Sequence, residues 1–112
     1  MITTKENIIQ YFQKGIKNKD NLKIGVEHEK FIFNKSRKRV DYQTINKIFD
    51  LFKNFGWHLI FEGNNAITLK KNDCQITLEP GNQIELSGAP LNNIHEVCKE
   101  AHDYIFELKQ IN

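Results

Sequence analysis

Apolar positions recur at two different periods along this chain, and the alternation between those periods defines its elements. Ile8, Ile9, Phe12 and Ile16 follow helical spacing behind a Thr3 to Glu6 capping box, which predicts a helix over residues 4–17. After a polar turn over 18–21, residues 23–33 carry Ile24, Val26, Phe31, Ile32 and Phe33, the composition of a strand. A strand places Gly25, Glu27, Glu29, Phe31 and Phe33 on one face, with Ile24, Val26, His28, Lys30 and Ile32 on the other. A second helix is expected behind Asp41 as N-cap. Its apolar stripe is Ile45, Ile48, Phe49, Phe52 and Phe55 and its stop is Gly56; the stripe reads as core.

The period then falls to two. Residues 57–62 and 66–70 read as strands joined by a turn over 63–65, and a further turn over 71–73 leads to Cys74 through Glu79. There Cys74, Ile76 and Leu78 oppose Gln75, Thr77 and Glu79. Pro80-Gly81-Asn82 interrupts the pattern, and residues 83–87 resume it with Ile84 and Leu86 opposed to Gln83, Glu85 and Ser87. A last helix begins near Asn93 through Ile94, Val97, Ala101, Tyr104, Ile105 and Leu108, and its pattern still runs at Asn112 with no glycine or proline stop; a C-terminal truncation is the expectation. The fold class is therefore α+β, an antiparallel sheet with covering helices.

With 112 residues there is room for one modest core. A net charge of +2 gives no footprint for nucleic acid, and the basic run Lys35-Ser36-Arg37-Lys38-Arg39 reads as a solvated turn. The expected partners thus include neither nucleic acid nor membrane, since no segment approaches spanning length. Lysine outnumbers arginine 14 to 2, a poor endowment for bidentate recognition of carboxylate or phosphate. Two cysteines without C-x-x-C spacing, and no basic leader, point to a reducing compartment, with the cytosol as the expectation. There is no P-loop, no Ser-His-Asp order and no zinc spacing.

The candidate chemistry lies in carboxylates. Glu27 and Glu29 share a strand face roughly 7 Å apart, and Glu79 and Glu85 flank the turn at Pro80-Gly81 on the polar face. Carboxylates on strands suit the hard-oxygen demands of Mg²⁺ or Mn²⁺; a solvated polar face is the other reading of the bare pattern. Gln83 shares that face and can hydrogen-bond a ligand. His28 reads as structural, Lys30 has no assigned contact, and Glu62 reads as a surface hairpin residue.

Two segments carry a family resemblance. Glu27-His28-Glu29-Lys30-Phe31, together with Leu78-Glu79-Pro80-Gly81, Gln83 and Glu85-Leu86-Ser87-Gly88-Ala89-Pro90, resembles the N-terminal region of the plant and proteobacterial type of glutamate–cysteine ligase. The resemblance implies part of a glutamine-synthetase-like catalytic fold, residues 1–112 being the N-terminal fragment of the ligase domain. It also implies ATP as cosubstrate, glutamate and cysteine as substrates, and the remaining C-terminal part of the enzyme as partner. Glu27, Glu29, Glu85 and Glu79 would be metal ligands, with Gln83 as a ligand-binding residue. Asn82 departs from the family's Pro-Gly-Gly-Gln. Cys98 matches a cysteine implicated in a regulatory disulfide in plant-type members; here it reads as a small buried thiol. A non-catalytic α+β interaction module is the alternative function.

Overall fold

The computed structural model describes residues 4–111. Its first helix, α1, spans Lys5–Lys14 and is capped by Thr4, whose hydroxyl accepts from the Asn7 amide at 3.2 Å. The expected capping residue Thr3 lies outside the described residues. The helix ends before Lys17 because Gly15, a poor helix former, turns back on the Phe12 carbonyl. Strand β1 covers Glu27–Phe31, shorter than the apolar run. Beyond it the pairing thins to single bridges, Ile24 with Leu91 and Phe33 with Arg39.

Helix α2, Tyr42–Phe52, starts at Asp41, which accepts from the Thr44 amide at 2.9 Å. The Thr44 side chain, together with that amide bond, holds the Asp41 carboxyl below the usual range. A short 3-10 turn, Lys53–Phe55, leads to left-handed Gly56. Strands β2 (His58–Glu62), β3 (Asn65–Lys71), β4 (Cys74–Glu79) and β5 (Gln83–Ser87) follow as a meander, and α3 spans Ile94–Ile111. Asn93 caps α3 by accepting from the His95 and Glu96 amides, and Glu96 reaches back to the Asn92 amide at 2.8 Å.

All five strands form one antiparallel sheet in the order β1-β5-β4-β3-β2. One face is dry. Ile45, Phe49 and Phe52 of α2 and Tyr104 of α3 close over Ala66, Leu69, Ile76, Ile84 and Leu86, while no residue of the opposite face is buried. Trp57, expected inside a strand, precedes β2 and is buried edge-on to Phe52 at 5.9 Å. Its indole N–H donates to Glu107 at 2.7 Å, and Lys71 pairs with the same carboxylate at 2.6 Å.

Helix α1 takes no part in this core and contains no buried residue. Its predicted apolar stripe is open, with Phe12 and Ile16 70% and 77% exposed. The radius of gyration is 17.5 Å, against about 13 Å for a compact chain of this length, so α1 stands off from the sheet. Among the described residues, no helix is long and apolar enough to cross a membrane.

Candidate functional site

The strand register turns the uncovered face into three polar rungs. Phe31 lies opposite Gln83, and Gln83 opposite Glu79. The middle rung runs Glu29, Glu85, Thr77, Thr68, Ile60, and the third runs Glu27, Ser87, Gln75, Lys70, His58. Side chains directly opposite in an antiparallel pair share a face. All four predicted carboxylates, Glu27, Glu29, Glu79 and Glu85, together with Gln83, therefore stand on one side of the sheet.

Glu29 sits directly across from Glu85, and like charges so placed repel. The Glu85 carboxyl is held above the usual range. Loss of solvent is the largest cause, with Glu27, Glu79 and Glu29 adding to it and the Ser87 hydroxyl opposing it. Two hydroxyls orient these groups: Ser87 Oγ donates to Glu85 Oε1 at 3.2 Å and Thr77 Oγ1 to Glu79 Oε1 at 2.7 Å. The donors are all oxygen, which suits Mg²⁺ or Mn²⁺ and disfavours softer metals. Among the described residues, no three His, Cys, Asp or Glu side chains gather closely enough to hold a metal ion between them. The carboxylates share a face and not a preformed cage.

The turn between β4 and β5 is where the motif departs from the family it resembles, and the departure is accommodated. Asn82 adopts a left-handed φ of 58°, following Gly81 at 75°, a conformation asparagine tolerates better than most residues. Its side-chain amide donates to the Val40 carbonyl at 2.9 Å. Beside it Arg39 donates to the Gly81 carbonyl at 3.3 Å and lies 5.0 Å from the centre of the Phe31 ring. The basic run is thus not wholly a solvated turn. Asn34 does fold it, accepting from the Ser36 and Lys38 amides, but its last residue returns to the sheet.

On the covered face, His28 points away from the carboxylates as parity requires, and its buried Nε2 has no hydrogen-bond partner among the described residues. Lys30 gains the contact the sequence left open, its ammonium 5.1 Å from the centre of the Tyr104 ring. Glu62 is an exposed hairpin residue. Cys98 is exposed and not the buried thiol expected, because it falls on the outer side of α3 while Val97 and Tyr104 face inward. Glu100, unremarked in the sequence, accepts from the Ala89 amide at 2.9 Å and the Cys74 thiol at 3.0 Å. It anchors the end of the Glu85-to-Pro90 motif to α3. A glutamate on a helix face carries no sign of a loop amide 11 residues away.

The family model of glutamate–cysteine ligase family 2 matches residues 23–112. The chain is 43% identical to chloroplastic glutamate–cysteine ligase A of Oryza sativa subsp. japonica and 40% identical to the chloroplastic enzyme of Medicago truncatula, each over 96% of this chain and 22% of the relative. It is 39% identical to the Arabidopsis thaliana chloroplastic enzyme over 96% of this chain and 21% of the relative. The chain thus spans about a fifth of the length of the curated relatives it matches. The expectation of a cytosolic protein is corrected by these relatives, whose names point to the plastid.

Proposed function

Because the chain belongs to glutamate–cysteine ligase family 2, we propose that its open sheet face is the carboxylate wall of an ATP-dependent ligase site. The site would join the γ-carboxylate of glutamate to the amine of cysteine. In this reading residues 1–112 are an N-terminal portion of the catalytic domain, and the rest of the site lies on the remainder of a longer polypeptide. The observation that carries the reading is the direct opposition of Glu29 and Glu85, a repulsive pairing that a merely solvated face has no reason to keep.

Glu27, Glu29 and Glu85 would hold Mg²⁺ or Mn²⁺, with Glu79 as a further ligand. Such an ion supplies charge that screens the phosphates of ATP from the carboxylate of glutamate. The chain's own residues do the positioning. Ser87 and Thr77 fix the carboxylate oxygens they bond, and Gln83 offers an amide to a ligand at the first rung. The sheet keeps these side chains in register without covering them. The chemistry itself is transfer of the terminal phosphoryl group of ATP to the glutamate γ-carboxylate, followed by attack of the cysteine amine on that acyl phosphate with loss of inorganic phosphate.

A non-catalytic interaction module draws some support from the open apolar stripe of α1, but it gives no role to four carboxylates on one face. Mn²⁺ titration followed by water-proton relaxation tests the proposal. Binding should be weak, because water fills most positions, and Mn²⁺ should bind more tightly than Mg²⁺. Replacing Glu29 and Glu85 together by Gln should abolish it; unchanged affinity in that double variant would remove the metal assignment.

A further inference from the structure

We infer that Arg39 and Phe31 form an oxyanion-binding corner at the first rung of the carboxylate face, which takes a phosphate or carboxylate group of a substrate. The inference rests on the reading of this face as a ligase site and adds to it the residue that receives substrate charge.

The placement follows from pairing. Arg39 bridges Phe33 in antiparallel fashion, so its side chain falls on the same side as Phe33, Phe31 and Glu29. The Val40 amide donates to the Ile32 carbonyl at 3.2 Å, and the Asn82 side chain donates to the Val40 carbonyl at 2.9 Å. The segment that carries Arg39 is therefore tied both to the end of β1 and to the β4–β5 turn. Within that frame the guanidinium rests on the Phe31 ring and gives one N–H to the Gly81 carbonyl. A Cβ at Gly81 would approach Arg39 Nη1 to 3.1 Å, so the absence of a side chain there makes room for the guanidinium as well as serving the left-handed turn.

The charge around Arg39 is unusual for a surface arginine. Four glutamates share its face, yet among the described residues it forms no ion pair with any carboxylate. Stacking and the Gly81 bond hold it at the end of the face instead. One of its five donors is engaged, which leaves most of a planar fork free for two oxygens of a ligand. An arginine that only balanced the glutamates would lie against one of them. A reaction between anions needs a fixed cation close to, but not quenched by, the metal-binding carboxylates, and Arg39 occupies such a position. The sole other arginine, Arg37, sits in the exposed left-handed turn of the basic loop.

Binding to the full chain separates this corner from the carboxylate wall. Mn²⁺, Mn²⁺ with ATP, and glutamate are titrated in turn against the wild type, R39A, R39K and the Glu29→Gln, Glu85→Gln double variant, with a thermal melt of each. Both arginine variants should keep wild-type Mn²⁺ affinity and lose at least about tenfold for an oxyanion ligand, R39K because lysine keeps the charge but not the fork or the stack. Loss confined to Mn²⁺–ATP assigns the corner to a phosphate; loss confined to glutamate assigns it to a carboxylate. Unaltered affinity for both ligands in R39A overturns the inference, as does a wild type that binds neither. Loss of Mn²⁺ affinity in the double variant upholds the metal reading independently, and its retention sinks that reading without touching the arginine result.

Discussion

At the scale of single residues, the strained groups make the sharpest predictions. The folded-state carboxyl of Glu85 titrates above its ordinary range, so the protein gains stability from protonating it. That gain is complete below the unfolded carboxyl pKa of about 4.3 and is lost as pH rises through the higher folded value. Glu85→Gln should therefore raise the melting temperature at pH 7 and leave it unchanged below pH about 4, a difference read from melts across that range. Gly88 shows the opposite sensitivity. A Cβ there would collide with Glu100 Oε1 and lie 3.1 Å from the Val26 carbonyl, so Gly88→Ala should cost about 1–3 kcal/mol in chemical denaturation. The two thiols should also separate: burial and Glu100 push Cys74 up to about 11, while Cys98 is exposed. Iodoacetamide at pH 8 should label Cys98 alone until the chain unfolds, which peptide mass spectrometry will show. Much of this scale was legible in the sequence, since strand parity grouped Glu27 with Glu29, set His28 opposite them, and grouped Gln83 with Glu79 and Glu85; the β1–β5 register then joined the two groups on one side. Glu100 and Arg39 were not, because each acts through a backbone carbonyl or amide of a distant segment that leaves no periodic mark.

At the scale of elements, period and caps did well where an element buries a face, and less well where it does not. The α2 stripe and the bounds of β4 and β5 match the pattern closely because the core selects them. The β1 run was read too long, since ladder pairing depends on the five residues β5 offers and not on apolar composition. In α3 the pattern of apolar positions missed Glu107, which is buried with Trp57 and Lys71 as partners. That glutamate fastens α3 to β3 and to the residue preceding β2. Glu107→Ala should leave the Trp57 N–H and the Lys71 ammonium unpaired and destabilise the fold by about 3 kcal/mol, toward the lower end for a broken buried pair because Lys71 is a third exposed. Urea unfolding of the variant measures the loss.

At the scale of the whole molecule, the sheet is finished on one side and open on the other. Its helical face has a closed core, while the carboxylate face, both edge strands and the α1 stripe remain uncovered. The sequence conveyed the dry layer and the polar face opposite it but not the exposure of the α1 stripe, because an exposed apolar helix and a buried one share the same period. Catalysis by a ligase requires ATP, glutamate and cysteine held together, and a misplacement of about 1 Å already costs on the order of a hundredfold in rate. A face with carboxylates on three rungs and one exposed arginine at its end would supply only part of such a site, in a chain that spans about a fifth of its relatives' length. Purified 1–112 incubated with ATP, Mg²⁺, glutamate and cysteine should accordingly release no γ-glutamylcysteine. Product that forms and then disappears in Glu27→Gln would show instead that this one sheet face assembles a complete catalytic site.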